Sequence, residues 1–310
     1  MKKYMFLIVF LGIILFIAAC SSEELDDIPI IDPIQDERIS INYSPYTGGL
    51  SPELNSSVSL RHMRQHLDIL KPYAHTLRTF GVSGELTKLY RPAKNEYGFR
   101  IIAGCWFDRN YSRNQIIDEL NTLIILVNDG YIDIAVVGSE LLFRGDIDTE
   151  ALIFYIEYVK DGIHDKSIPV TTSDTAMAWI NNPELVEVCD IILVTIYPFF
   201  SEVSVENAAT ALAATYEEVL NIAGDKTVII SETGWPTAGS SEGAAVPSSE
   251  NAARYFNDVN EWSRKEGVEV IFFSAFDEAW KREGRNNDIG MHWGHFYEDG
   301  TLKEAYKEVS

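Results

Sequence analysis

Thr227–Thr237 reads T-V-I-I-S-E-T-G-W-P-T. Val228, Ile229 and Ile230 are β-branched and apolar without alternation, the signature of a strand covered on both faces. The run closes on Ser231-Glu232, and Gly234 and Pro236 then break the backbone on either side of Trp235. A carboxylate therefore stands at the carboxyl end of a core strand with a large aromatic beside it. Ile132–Glu140 repeats the design, with an apolar strand running into V-V-G-S-E. Two strands of one build, each delivering a glutamate at its end, make a site more plausible than two loop residues.

Outward from these two stretches the pattern is strand, loop, helix. Strands are expected at Ile39–Tyr43, Thr76–Phe80, Arg100–Phe107, Ile132–Val137, Ile168–Thr172, Ile191–Tyr197, Val228–Ser231 and Glu269–Phe276. Helices are expected over Ser57–Tyr73, from Ser112 as cap to Asn128, and over Asp148–Lys160, Asp174–Asn181, Val205–Ile222 and Ser249–Lys265. A poorly patterned helical piece lies between the second and third strands. Trp293–Tyr297 is expected to pair as a hairpin partner, and Leu302–Val309 to be helical. Strands joined by helical crossovers imply a parallel sheet. About eight such units without a glycine-rich first turn favour a single-domain (β/α)8 TIM barrel over a doubly wound sheet.

The chain has 310 residues, 46% apolar, with 47 Asp+Glu against 25 Lys+Arg. That balance argues against nucleic acid or an anionic membrane surface as partner, since both need clustered cations. It suits a neutral ligand. Lys2 and Lys3 precede an apolar run from Tyr4 to Ala19 that ends I-A-A-C at Ile17–Cys20, an export signal over residues 1–19. The I-A-A-C end resembles a bacterial lipobox, which makes Cys20 the lipidated amino terminus; an uncleaved membrane anchor is the alternative. Residues 20–37, beginning C-S-S-E-E-L-D-D, read as an acidic tether, and residues 38–310 as the barrel domain. The serine-then-acidic start is similar to that of surface lipoproteins of Bacteroidetes-like bacteria. The expected location is therefore the bacterial cell envelope, on the exposed face of the outer membrane, with the lipid as the only membrane contact. Cys105 and Cys189 fall at opposite ends of the expected sheet and are read as buried free thiols.

A barrel places its chemistry at the carboxyl ends of its strands. Tyr43, Arg78, Trp106, Ser139, Glu140, Tyr197, Phe200, Glu232, Trp235, Asp277, Glu278 and Lys281 fall there. Aromatic rings beside paired carboxylates suit a sugar, whose C–H faces stack on rings while its hydroxyls take hydrogen bonds. Cleaving a glycosidic bond needs one acid to protonate the leaving oxygen and one carboxylate at the anomeric carbon. Metal chemistry finds little support. His62 and His66 are spaced i, i+4 but lack a zinc-protease glutamate and read as helix-surface residues. His292 and His295 read as hydrogen-bonding residues around Trp293. No cofactor is expected.

V-G-S-E at Val137–Glu140, Y-P-F-F at Tyr197–Phe200, S-E-T-G-W-P-T at Ser231–Thr237, F-D-E-A-W-K at Phe276–Lys281 and H-W-G-H-F at His292–Phe296 together resemble glycoside hydrolase family 17. The resemblance runs from about Ile39 to the end, and S-E-T-G-W-P is its most specific element. It implies a (β/α)8 barrel, retention of anomeric configuration, and β-1,3-glucan substrates such as laminarin. It further implies Glu140 as general acid/base and Glu232 as nucleophile, with Glu278 and Lys281 matching a pair near the nucleophile. Two positions depart from the family. Ser139 stands where an asparagine usually donates to the sugar 2-hydroxyl, and Asn287 and Asp288 stand where a glutamate is often found. The expectation is a monomeric β-1,3-glucan hydrolase. A transglycosylase of the same family, a non-catalytic glycan-binding protein and a hydrolase of another β-glycan are the rivals. Ala238–Val246, rich in Gly, Ser and Ala, is a candidate groove wall.

Overall fold

A computed structural model describes residues 37–282 and 288–309. The expected leader over 1–19, Cys20, residues 20–36 of the tether and Asn287 lie outside the described residues. Eight parallel strands close in sequence order into a barrel. They are β1 (Ile39–Asn42), β2 (Ala74–Thr79), β3 (Arg100–Cys105), β4 (Ile134–Ser139), β5 (Val170–Thr175), β6 (Ile192–Thr195), β7 (Val228–Thr233) and β8 (Val270–Phe272). The crossovers carry α1 (Leu60–Leu70), α2 (Thr87–Asn95), α3 (Arg113–Asn128), α4 (Thr149–Gly162), α5 (Ala176–Asn181), α6 (Pro183–Val188), α7 (Val205–Ala223) and α8 (Ser249–Glu266). The expected TIM barrel is the observed architecture.

Side-chain alternation splits the core in two. On β3, Ile101, Ala103 and Cys105 join the large apolar layer between strands and helices. Ile102 instead joins Ile134, Val136, Leu193, Ile229 and Ile271 in a separate buried cluster that fills the barrel interior. Above that plug the interior turns polar, with Asn42, Arg78, Ser173 and Ser231 all buried.

Both glutamate-bearing strands contain one extra residue. Between β6 and β7, Val194 pairs with Ile230 but Thr195 pairs with Glu232; across to β8, Ile230 pairs with Val270 and Thr233 with Phe272. Between β4 and β5, Val136 pairs with Thr171 and Ser139 with Ser173. Strict alternation from Ile229 would send Glu232 outward. The bulge at Ser231 turns it into the barrel mouth, which is how an added residue re-aims a side chain. On β4 the bulge falls at Gly138, whose φ is +75°, a conformation for which glycine carries no steric penalty.

Local differences from expectation have physical causes. Ser112 caps α3 through a reciprocal pair with Gln115, but Ser248 rather than Ser249 caps α8. β8 stops at Phe272, because Ser274–Asp277 leaves the barrel ladder to hydrogen-bond with Trp293, His295 and Phe296. Phe296 bridges Phe276 in parallel and Leu302 antiparallel, so it does not form the simple hairpin expected. The last segment is a 3-10 helix over Glu304–Val309. Cys105 and Cys189 are buried free thiols. His66 is not on the helix surface. Its exposure is 5%, its ring bonds Tyr43 OH and Thr47 Oγ1, and burial pushes its pKa down to about 3. Burial likewise pushes His295 down to about 3; its Nδ1 meets Tyr73 OH at 2.9 Å. Among the described residues no group of three or more His, Cys, Asp or Glu could hold a metal, and no helix is long and apolar enough to cross a membrane.

Candidate active site

The floor of the mouth is built on Arg78 of β2, fully buried at 1% exposure. Its Nη1 donates to Asn42 Oδ1 at 2.7 Å and to Glu232 Oε1 at 2.7 Å, and its Nη2 donates to Ser139 Oγ at 3.1 Å. Asn42 is itself held by donating to the carbonyls of Ser231, Ile271 and Phe272. Glu232 also accepts from Ser139 Oγ at 3.2 Å and from Tyr197 OH at 3.3 Å. One carboxylate thus receives three donors from three strands or strand ends. It is ion-paired, with little freedom to rotate.

Glu140 is held differently. Its backbone φ is +54°, and its N–H donates to Ser173 O at 2.7 Å while its carbonyl accepts from Arg144 N–H at 2.9 Å. Its carboxyl is pushed up to about 8, first by burial and then by the negative charges of Glu232 and Asp174, against the opposing pull of Arg144 and Arg78. A carboxyl protonated at neutral pH beside an ion-paired carboxylate is the division of labour that acid-assisted glycoside cleavage demands.

The remaining predicted residues separate into those the groove can offer a ligand and those the fold has used. Trp106 is 38% exposed and Phe200 47%, so both present open ring surface. Tyr197 touches Glu232 and packs edge-on against Trp293 and Phe273. Arg78 serves Asn42, Ser139 and Glu232 through Nη1 and Nη2; its Nε is without a partner but buried, so the side chain presents no exposed donor to a ligand. Trp235 is a correction, because it is 1% exposed, packed by Phe199 and Tyr255, with Nε1 donating to Val246 O at 3.0 Å. Gly234 before it is dictated by crowding, since a Cβ there would fall 2.4 Å from Phe273 O. Tyr43 is buried at 1% with its hydroxyl on His66. Asp277 accepts from Lys303 Nζ at 2.7 Å and Gly294 N–H at 3.0 Å, so its carboxylate is committed to the fold. Lys281 pairs with Glu278 at 2.5 Å and lies 4.4 Å over the Phe273 ring. The cation on Glu232 is Arg78. The candidate wall Ala238–Val246 folds into a turn, with Glu242 and Ala245 exchanging two backbone hydrogen bonds.

Sequence reading missed Asp174, Arg144, Phe273 and Trp293 as members of the site. Asp174 had a weak signal, a single charged residue near the end of the V-T-T-S-D-T strand. Arg144 lies on a loop four residues past Glu140, where nothing in the one-dimensional pattern marks its return to the strand.

A parallel eight-stranded barrel that sets these two carboxyls at its mouth defines a glycoside hydrolase scaffold. Residues 40–294 match the BtgE/BtgC glycoside hydrolase domain. The chain belongs to that family and is a family-17-type glycoside hydrolase. It is 32% identical to the glucan 1,3-beta-glucosidase BGL2 of Candida albicans, across 76% of this chain and 83% of that one. It superposes with TM-score 0.76 on an active-site mutant of the Rhizomucor miehei beta-1,3-glucanosyltransferase in complex with laminaritriose, at 31% identity and covering 87% of this chain and 96% of that one. It shares its fold with an endo-laminarinase from Formosa Hel1_33_131, at TM-score 0.72 and 19% identity, with 88% of this chain and 86% of that one covered.

Proposed function

We propose that the protein cleaves β-1,3-glucan by double displacement with retention of configuration. Glu232 attacks the anomeric carbon while Glu140 gives its proton to the departing glycosidic oxygen. The glycosyl-enzyme ester on Glu232 is then attacked by water, and the Glu140 carboxylate takes the water's proton, restoring the acid. The carrying observation is the contrast between Glu140, pushed up to about 8, and Glu232, ion-paired to Arg78 at 2.7 Å. The linkage rests on the relatives' activities.

Replacing Glu232 by Gln is expected to lower laminarin hydrolysis by roughly a thousandfold or more. Replacing Glu140 by Ala is expected to spare cleavage of an activated aryl glucoside, with azide accelerating turnover and giving a β-glucosyl azide. An α-configured azide product would refute retention, and an active Glu232→Gln variant would refute the nucleophile.

A second reading is favoured by the exposed rings of Trp106 and Phe200, which suit a sugar acceptor, and by the resemblance to a glucanosyltransferase. In transfer, an incoming sugar hydroxyl replaces water. Products longer than the supplied laminari-oligosaccharide, rising with its concentration, would identify transfer. For the amino-terminal part we propose lipidation of Cys20 and anchoring at the cell envelope. Radiolabelled palmitate entering the native protein but not Cys20→Ser tests this; equal labelling of both would sink it.

A further inference from the structure

Arg144 is tied down on every side but one. Its Nε donates to Asp146 Oδ2 at 2.7 Å and its Nη1 donates to the Ser139 carbonyl. Its guanidinium lies 4.6 Å over the Trp106 ring. Asp146 in turn accepts from Arg109 Nε at 3.1 Å, and Arg109 Nη2 donates to the Arg144 carbonyl at 2.6 Å. Burial raises the Asp146 carboxyl, but the two arginines outweigh it and hold it below the usual range. The guanidinium is therefore anchored to an ionised partner. One nitrogen, Arg144 Nη2, is buried with no hydrogen-bond partner. A buried donor left open costs on the order of 1–3 kcal/mol, so its retention beside a reacting group invites a role.

The turn from Gly138 to Asp146 needs such an anchor. Gly138 and Glu140 both have positive φ, and for glutamate that conformation costs on the order of 1 kcal/mol. Arg144 spans the turn, with its backbone N–H on the Glu140 carbonyl and its side chain on the Ser139 carbonyl. The same guanidinium lies close enough to the Glu140 carboxyl for its charge to act on it.

We propose that Arg144 is a positioning residue for Glu140. It fixes the left-handed turn that aims the carboxyl and offers its open Nη2 to the carboxylate formed when the proton leaves. The proposal rests on Glu140 being the acid/base. In the first step the Glu140 O–H bond breaks as the proton moves to the glycosidic oxygen, whose bond to the anomeric carbon breaks; the negative charge left on Glu140 faces Arg144. In the second step the proton returns from water. The groups acting on Glu140 are Glu232 from β7, Asp174 from β5, Arg78 from β2 and Arg144 from its own loop, with Tyr197 also within electrostatic reach. Removing Arg144 leaves Arg78 as the only cation among them, so the carboxyl holds its proton to higher pH.

The test compares Arg144→Met and Arg144→Lys with the native enzyme on laminari-oligosaccharides and on a dinitrophenyl glucoside whose leaving group needs no proton. For Arg144→Met the alkaline limb of kcat/KM is expected to move up by about half to one pH unit. Its oligosaccharide kcat is expected to fall about tenfold, with KM nearly unchanged and the dinitrophenyl substrate much less affected. Arg144→Lys keeps the charge but cannot make the three-way tie, so its limb should return toward native while kcat stays low. A native limb and native kcat in Arg144→Met, or in Arg144→Lys should the first fail to fold, would overturn the proposal. Equal losses on both substrates with an unmoved limb would also overturn it, because a merely structural role gives that result. If Glu140→Ala hydrolyses oligosaccharides at the native rate, the acid/base assignment itself fails. Loss in Glu140→Ala with no effect at Arg144 rejects Arg144 alone.

Discussion

Glu140 is the residue on which pH dependence turns. Its carboxyl is raised, so it binds its proton more tightly in the folded chain than in the unfolded one, where the ordinary value is 4.5. The associated stability is fully present below that ordinary value and is lost as pH rises through about 8. Activity requiring the protonated form has the same alkaline boundary. Glu140→Gln is therefore expected to match the native melting temperature near pH 4 and to exceed it increasingly up to pH 9, as calorimetry across that range would read. A native protein that gains stability relative to Glu140→Gln as pH rises would show that the carboxyl is not raised. Ser139 belongs to this scale too. Its hydroxyl accepts from Arg78 and donates to Glu232, so in this geometry it orients the proposed nucleophile.

At the scale of elements, the two bulged strands decide what the mouth contains. Deleting Ser231 would remove the bulge from β7 and put Glu232 in the place of Ser231, still inward by alternation from Ile229 but one residue nearer the plug and displaced from Arg78 and Tyr197. The expected outcome is a folded barrel by circular dichroism with hydrolysis reduced by roughly a thousandfold or more. An active deletion variant would show that the bulge does not set the carboxylate's position in the mouth. At α3, Ser112→Ala is expected to cost about 1 kcal/mol in urea unfolding without changing kcat, since the Ser112 hydroxyl bonds only Gln115 and touches none of the groups that hold Glu140 or Glu232. These elements differ in how legible they were. The Ser112–Gln115 box lies within four consecutive residues, so the sequence displayed it whole. The apolar strands and Glu232 were equally plain. The bulges were not, because an extra residue is extra only relative to a neighbouring strand far away in the chain. Trp235 was misassigned for a related reason. Adjacency to Glu232 suggested a shared wall, but Gly234 lets the backbone press against Phe273 O and Trp235 packs on Tyr255 of α8. Arg78 was recognised as a mouth residue, while its partners on three other strands could only emerge with the barrel closed.

The whole molecule is closed at its weakest seam by the carboxyl-terminal segment. β1 and β8 share two register pairs, Ser40 with Ile271 and Ile41 with Phe272. Beyond them, Ala275 N–H donates to Asn42 O at 2.8 Å and Lys303 N–H to His295 O at 3.0 Å. The Lys303–Asp277 pair is buried, with side chains 2% and 11% exposed. Burial pushes Lys303 down and Asp277 up, each opposed by the other's charge. Lys303→Met is thus expected to destabilise by about 3–5 kcal/mol, read as a lowered denaturation midpoint, because it strands Asp277. Lys303→Met with Asp277→Leu should recover much of the loss; no recovery would show that the lysine acts through other contacts. The six-residue apolar plug of Ile102, Ile134, Val136, Leu193, Ile229 and Ile271 has a kinetic consequence. A barrel sealed below has one doorway, so departing sugar, arriving water and any arriving acceptor sugar share it in turn. Under the proposed double displacement, the fate of each glycosyl-enzyme is then a race at the threshold, in which the aglycone must clear before a competitor enters. Slowing departure with a longer leaving glucan should delay water and acceptor alike, leaving their ratio governed by acceptor concentration.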